Sequence, residues 1–144
     1  MYSTVDKLVE DVGGALWNVK HNTLSDLKDL KDKNLQTIEK IISGTTNVYK
    51  NFKVGEYHVD LYLEEYNLVV ECIHASKYLD VRSDDKRTNF IKSELWCEFI
   101  RFNSLCDNFS ISDVVGDIFK FILTKKNQQL EEKDHKIKLL KQQF

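Results

Sequence analysis

The chain contains no proline among its 144 residues. Proline breaks helices because it lacks a backbone N–H and its ring clashes with the preceding turn, so its absence favours long uninterrupted helices. The three cysteines show no C-x-x-C spacing, and no His/Cys cluster has the spacing of metal ligands, which argues against a zinc site. Cys72 and Cys97 fall in apolar, strand-like segments. We therefore expect buried free thiols in a reducing compartment.

Long hydrophobic runs are also absent. No apolar stretch approaches the ~20 residues that a bilayer-spanning helix needs. The first six residues, MYSTVD, are polar and acidic, without the basic and apolar regions of a signal peptide. We expect an intracellular protein that is not secreted and has no membrane partner. The formal net charge of −2 argues against a strongly basic nucleic-acid binder, although a local basic patch is compatible with it.

The composition does supply a core and a solvated surface. Hydrophobic residues make up 42% of the chain and charged residues 31%, and the length suits one domain with helical arms. Apolar residues recur at helical spacing through the first third, with interruptions at Gly13 and Gly14, and a stop signal follows at Ser43 and Gly44. We predict an N-terminal helical arm over residues 1–45, an α/β core over residues 46–122 and a C-terminal amphipathic or coiled-coil helix over residues 123–144.

Within the core, the patterns predict a hairpin, a helix, a strand and a last helix. Residues 54–63 and Leu68–Cys72 read as the two hairpin strands, with a turn over residues 64–67. Ser83 is predicted to cap the next helix, residues 97–102 form a strand, and Ser110 or Ser112 caps the last helix. Trp96 and Tyr62 are expected in the core. Together these elements predict an α+β or mixed α/β fold with a small central sheet flanked by helices.

The hairpin places two acids opposite each other. A four-residue turn pairs Leu63 with Leu68, Leu61 with Val70 and Val59 with Cys72. The same register sets Asp60 against Glu71. Like charges directly opposite destabilise a ladder, and the commonest reasons to keep them are a shared proton or a bound divalent cation.

The tail has its own pattern. Leu123, Leu130, Ile137 and Phe144 recur every seven residues, with Phe119 and Leu140 at the intermediate position and Lys126 and Lys133 breaking it. Residues 124–144 hold six lysines and three acids, a local charge of +3 that leaves −5 on the rest of the chain. This pattern favours a dimerising or partner-binding helix over a basic helix that contacts nucleic acid.

Three segments carry a resemblance: VGEYHVDLYL at 54–63, LVVEC at 68–72 and NFIKSELWCEFIRFN at 89–103. Together they resemble restriction-endonuclease-like domains of the PD-(D/E)XK superfamily, in the branch related to very-short-patch-repair endonucleases. Copies of this branch occur in proteins of large DNA viruses, often beside helical or coiled-coil segments. The resemblance covers about residues 46–122, and a viral protein of this kind would act in the cytoplasm or nucleus of the host cell.

The resemblance implies a site for DNA cleavage. Asp60 and Glu71 match the acids that bind Mg²⁺, which polarises the phosphate and activates water. Glu39 is a candidate third acid, or a solvated residue of a helix surface. Lys77 would stabilise the charge that develops on the phosphate. The nucleic-acid-binding candidates are Lys77, Arg82, Lys86 and Arg87.

The sequence departs from the family pattern at Ile73. The family has Lys there, or Asp in the nearer branch, and isoleucine can neither bind a metal nor act as a base. Lys77 or His74 could substitute from the following segment, and His58 is either a base near the metal or a half-buried, hydrogen-bonded histidine. The alternatives are therefore a Mg²⁺-dependent endonuclease or a catalytically inactive binding or oligomerisation module. In the second case the helices at the two ends of the chain would contact a coiled-coil partner or another copy. A third hypothesis is a structural protein with no nucleic-acid role.

Overall fold

The computed structural model describes residues 24–73 and 81–143. These residues form an α+β fold with a four-stranded mixed sheet and three α-helices. In chain order the elements are α1 (Leu24–Ile42), β1 (Tyr49–Val54), β2 (Tyr57–Leu63), a 3-10 turn (Glu64–Tyr66), β3 (Leu68–Cys72), α2 (Val81–Leu95), β4 (Glu98–Phe102) and α3 (Ile111–Gln142). The general prediction of a small sheet flanked by helices is confirmed.

The sheet has the order β1-β2-β3-β4. The first three strands form an antiparallel meander, and β4 lies parallel to β3. A parallel neighbour requires a crossover connection, and α2 lies in that connection. The predicted pairs Leu63–Leu68 and Leu61–Val70 are confirmed. So is the turn, which closes with Asn67 in the left-handed region at φ 49°.

The first strand of the meander was not predicted from the sequence. β1 joins β2 through a tight turn at Gly55, whose φ is +61°. The positive φ favours glycine, and a Cβ at this position would lie 2.6 Å from the Phe90 ring of α2, so the ring would have to shift to admit a larger residue. The hairpin tip is thereby fixed against α2.

Helices cover both faces of the sheet. α1 and α3 pack on one face, where their buried residues form a core with alternate residues of β2 and β3. The other face packs against Ile91 of α2 in a second apolar cluster. The helical residues of the main core are Leu35, Ile38, Ile42, Val114, Ile118 and Ile122. α1, which falls within the predicted N-terminal arm, is therefore part of the main core; residues 1–23 lie outside the described part of the chain.

α3 is a single helix of 32 residues. Its N-cap is Ser110, one of the two predicted candidates, and the Ser110 side chain accepts a hydrogen bond from the Asp113 N–H at 3.4 Å. Contact with the core ends at Ile122. The following twenty residues, 123–142, extend the helix by about 30 Å. We call this segment the arm.

Trp96 and Cys97, the two residues that follow α2, differ in burial. Cys97 is buried as a free thiol, as Cys72 is, and both predictions are confirmed. Trp96 is 85% exposed, so its predicted place in the core is wrong. Trp96 follows the end of α2 with φ +53°, and its N–H bonds to the Lys92 carbonyl. The left-handed turn directs the side chain into solvent instead of the core.

None of the helices in residues 24–73 and 81–143 combines the length and the apolar character that crossing a bilayer would require.

Candidate functional site

The regular alternation of side chains between the two faces of the sheet is interrupted in β2 close to Asp60. Strand side chains normally alternate between faces, yet Val59 and Tyr62 belong to the same apolar cluster, so the alternation is interrupted between them. Asn51, which lies opposite Asp60, has φ +47°, an uncommon conformation that asparagine tolerates better than most residues. The β2–β3 ladder accordingly ends at Leu61–Val70. The predicted pairs Val59–Cys72 and Asp60–Glu71 are not part of it.

The Asp60 carboxylate has two partners of its own. Its Oδ2 accepts a hydrogen bond from the Cys72 N–H at 2.9 Å, which takes the place of a ladder bond. Its Oδ1 lies 3.1 Å from Nζ of Lys31 on α1. Asp60 therefore bridges the end of β3 to the α1 side of the sheet.

Glu71 lies at the end of β3 among arginines. Its side chain is only 7% exposed. In the parallel β3–β4 register Arg101 lies directly beside it, and Arg101 Nε donates to Glu71 Oε2 at 3.0 Å. Arg87 of α2 donates from both terminal nitrogens, to Oε2 at 3.2 Å and through a shorter contact to Oε1. Both carboxylate oxygens are thus bound by guanidinium groups. We call Glu71, Arg87 and Arg101 the arginine clamp.

Further contacts orient the two arginines. Arg87 also donates to the backbone carbonyl of His58 at 2.9 Å, and Arg101 donates to Thr88 Oγ1 at 2.7 Å. The Arg101 guanidinium lies 4.2 Å from the Phe99 ring centroid, a cation–π contact. Hydrogen bonding to the Glu71 carboxylate raises the pKa of Arg87 above its ordinary value. The clamp therefore joins β2, β3, β4 and α2 through fixed charges.

The arrangement does not fit a Mg²⁺ ion. Magnesium binds one or two carboxylates with free oxygens and keeps several waters, but the oxygens of Glu71 are held by arginines and those of Asp60 by Lys31 and a backbone N–H. The two acids face three cations, so the cluster carries a formal charge of +1. Within residues 24–73 and 81–143, no three His, Cys, Asp or Glu side chains lie together as a metal-binding group.

Three of the other predicted site residues, Glu39, His58 and Lys86, have no side-chain contact with the two acids among the contacts of the described residues. Glu39 pairs with Lys50 at 3.3 Å and lies eight residues after Lys31, about 12 Å further along α1. His58 is exposed rather than half-buried, and the clamp uses its carbonyl instead of its ring. Lys86 is exposed on α2.

The remaining predicted residues lie at or beyond the end of β3. Ile73 directly follows β3 and donates its N–H to the Phe102 carbonyl at 2.7 Å, which continues the β3–β4 pairing by one bond. Arg82 lies in the first turn of α2. Lys77 and His74 fall outside the described residues.

Sequence reasoning missed two partners of the acids, Lys31 and Arg101. The contact of Arg101 with Glu71 could have been predicted from the sequence. A strand that follows a crossover helix pairs in parallel with the strand before that helix, so the C-terminal ends of the two strands lie side by side. The contact of Lys31 with Asp60 could not, since the pairing depends on how α1 lies across the sheet.

Comparison with known proteins adds no relative: no family model, curated protein sequence or solved structure matches this chain. The class that the fold itself defines is therefore a small α+β domain with a mixed four-stranded sheet.

Proposed function

We propose that this chain is a non-catalytic module with a nuclease-like fold, which serves in binding or assembly rather than in phosphodiester hydrolysis. The observation that carries the proposal is the arginine clamp. Glu71 is the acid that would hold Mg²⁺ in an active relative, and both of its carboxylate oxygens accept hydrogen bonds from Arg87 and Arg101.

The electrostatics explain why the clamp and a metal exclude each other. A divalent cation at Glu71 would sit beside two guanidinium charges, and it would leave those guanidiniums without their carboxylate. Removing one partner from a buried charge pair costs about 3–5 kcal/mol. Ile73 supports the same conclusion, because it offers no lysine or aspartate at the position where the resembled family has one.

The runner-up is a Mg²⁺-dependent endonuclease in which Asp60 and Glu71 bind the metal and Lys77 assists. One observation favours it: Asp60 Oδ2 binds the N–H of Cys72, the residue that follows Glu71, so Asp60 lies beside the end of β3 that carries Glu71. DNA cleavage would then require Arg87 and Arg101 to leave Glu71.

A nicking assay and a binding titration separate the two. Purified protein is incubated with supercoiled plasmid in Mg²⁺ or Mn²⁺, and Mg²⁺ binding is measured by isothermal titration calorimetry. We expect intact plasmid and no heat of binding. Metal-dependent nicking that disappears in both Asp60→Ala and Glu71→Ala, but persists in the exposed-acid control Glu98→Ala, would overturn the proposal.

A further inference from the structure

The first residues of the arm line a groove with β4, and beyond them the arm has no buried side chain. Every side chain from residue 126 to residue 143 is exposed. The exposed residues nevertheless include five large apolar side chains, each 46–62% exposed: Leu123, Leu130, Ile137, Leu139 and Leu140. Most of the stability of helices in proteins comes from packing of an apolar face rather than from helix propensity.

The apolar line of the arm differs from the face that packs on the sheet. Val114, Ile118 and Ile122 define the packed face at steps of four. Continuing that face at helical steps gives four polar residues, Lys125, Gln129, Lys133 and Lys136, before Leu140 near the end of the arm. The line of Leu123, Leu130 and Ile137 lies to one side of this face. Seven residues make almost two full turns, so these three side chains stay in line along the helix. The arm's apolar line therefore does not continue toward its own sheet.

The contacts of α1 and α3 with the strands show where the start of α1 lies relative to the arm. Lys31 of α1 lies beside Asp60 in the middle of β2, whereas Thr46, just past the end of α1, bonds to Glu65, just past the C-terminal end of β2. α3 reaches the same end of the sheet, because Thr124 and Lys125 line a groove with Glu98 at the start of β4. α1 and α3 thus run in the same direction across the sheet. The start of α1 is at the far end of the body from the arm.

We propose that the arm pairs with the arm of a second copy of this chain in an antiparallel helical pair. This inference rests on the assembly function proposed above and names its partner. In this pair the apolar line of one arm faces the intermediate heptad positions of the other. Leu123 then lies against Leu140 of the second copy, Leu130 against its Lys133 and Ile137 against its Lys126.

Like-charge contacts select the antiparallel orientation. In a parallel pair the intermediate positions face their own equivalents, so Lys126 would meet Lys126 and Lys133 would meet Lys133 at two successive layers. In the antiparallel pair each of these lysines lies beside an apolar residue, over which its aliphatic stem packs while the ammonium group reaches solvent. Specific pairing commonly depends on such unfavourable contacts in the competing arrangement.

Trp96 is a second exposed apolar group at the same end of the body. It precedes β4 by two residues, and Glu98 at the start of β4 lines the groove beside the base of the arm. An antiparallel partner returns the C-terminal end of its arm to this place. We expect the partner's arm to cover this side chain, which is 85% exposed in one chain.

Sedimentation equilibrium tests the pairing. At about 50 μM, where a dimer of micromolar Kd is mostly assembled, we expect the wild-type chain at twice its monomer mass of 16.9 kDa. Leu130→Lys should halve the observed mass, because it puts a charge in the middle of the apolar line. The control Gln128→Lys adds the same charge on the opposite face and should remain dimeric. A monomeric wild type, or equal masses for the two variants, would overturn the pairing.

Cysteine cross-linking tests the orientation in a Cys106→Ser background, which removes the exposed native thiol. A mixture of Leu123→Cys and Leu140→Cys chains should give mixed disulfide dimers, and Lys126→Cys alone should give none. Disulfides formed by Lys126→Cys alone, with no mixed product, would show a parallel pair and overturn the proposal. Neither measurement involves a metal or DNA. A failed dimer is therefore distinguishable from a failed non-catalytic function, which the nicking assay reads.

Discussion

The substitution Glu71→Gln tests the arginine clamp most directly. Glutamine keeps the shape of the side chain and one acceptor oxygen, but it removes the charge that holds Arg87 and Arg101. Each guanidinium would then lie against a neutral amide while still about three-quarters buried, since the two arginine side chains are 25% and 24% exposed.

The magnitude follows from the contacts. Glu71 accepts three charge-assisted hydrogen bonds, and loss of one partner of a buried pair costs about 3–5 kcal/mol. The remaining exposure of the arginines lets water recover part of this loss. We therefore expect the free energy of unfolding to fall by about 3 kcal/mol.

Urea denaturation followed by circular dichroism measures the change. The transition midpoint should fall with an unchanged m-value, which indicates lost stability rather than a changed surface. The control Glu98→Gln neutralises an exposed acid on the neighbouring strand and should change stability by no more than about 0.5 kcal/mol. A loss below about 1 kcal/mol in Glu71→Gln would refute the reasoning, because it would mean that the clamp is not formed or is not desolvated.

Two further substitutions test an acid and a tryptophan that are not members of the clamp. Asp60→Asn should lower the free energy of unfolding by about 1 kcal/mol, since it loses the ion pair with Lys31 and weakens the bond to a backbone N–H. In a Lys31→Met background this loss should be smaller. A gain in stability would mean that repulsion between Asp60 and Glu71 dominates. Trp96→Asn should raise the free energy of unfolding of the monomer by about 1 kcal/mol, because asparagine accepts the left-handed conformation and little buried area is lost. The same variant should dimerise more weakly by sedimentation, and a destabilised monomer with unchanged association would contradict the role given to Trp96.

The parts of the fold that depend on local pattern were readable from the sequence. The β2–β3 hairpin has apolar alternation, a polar turn and a single register that buries one face, so the pairs next to the turn follow. Ser110 supplies a recognisable cap for α3. β1 was missed because four of its six residues are exposed and its sequence, YKNFKV, gives no clear period.

The site depended on features that have no local signal. The left-handed conformation of Asn51 interrupts the alternation of both strands, and nothing in the residue type requires it. Without that interruption Asp60 and Glu71 would face each other, which is what the period-two pattern predicts. Trp96 was misplaced for a similar reason, since a large aromatic residue at a helix end normally packs inward.

The arginine clamp also determines which parts of the molecule open together. Arg87 lies in the first half of α2, and Ile91 one turn later is completely buried against the sheet. Lifting α2 would therefore have to break charged contacts to β2, β3 and β4 at the same time as it exposes apolar surface. The helix and the parallel strand pair consequently form one cooperative unit, in which slow amide exchange should extend from the sheet into α2.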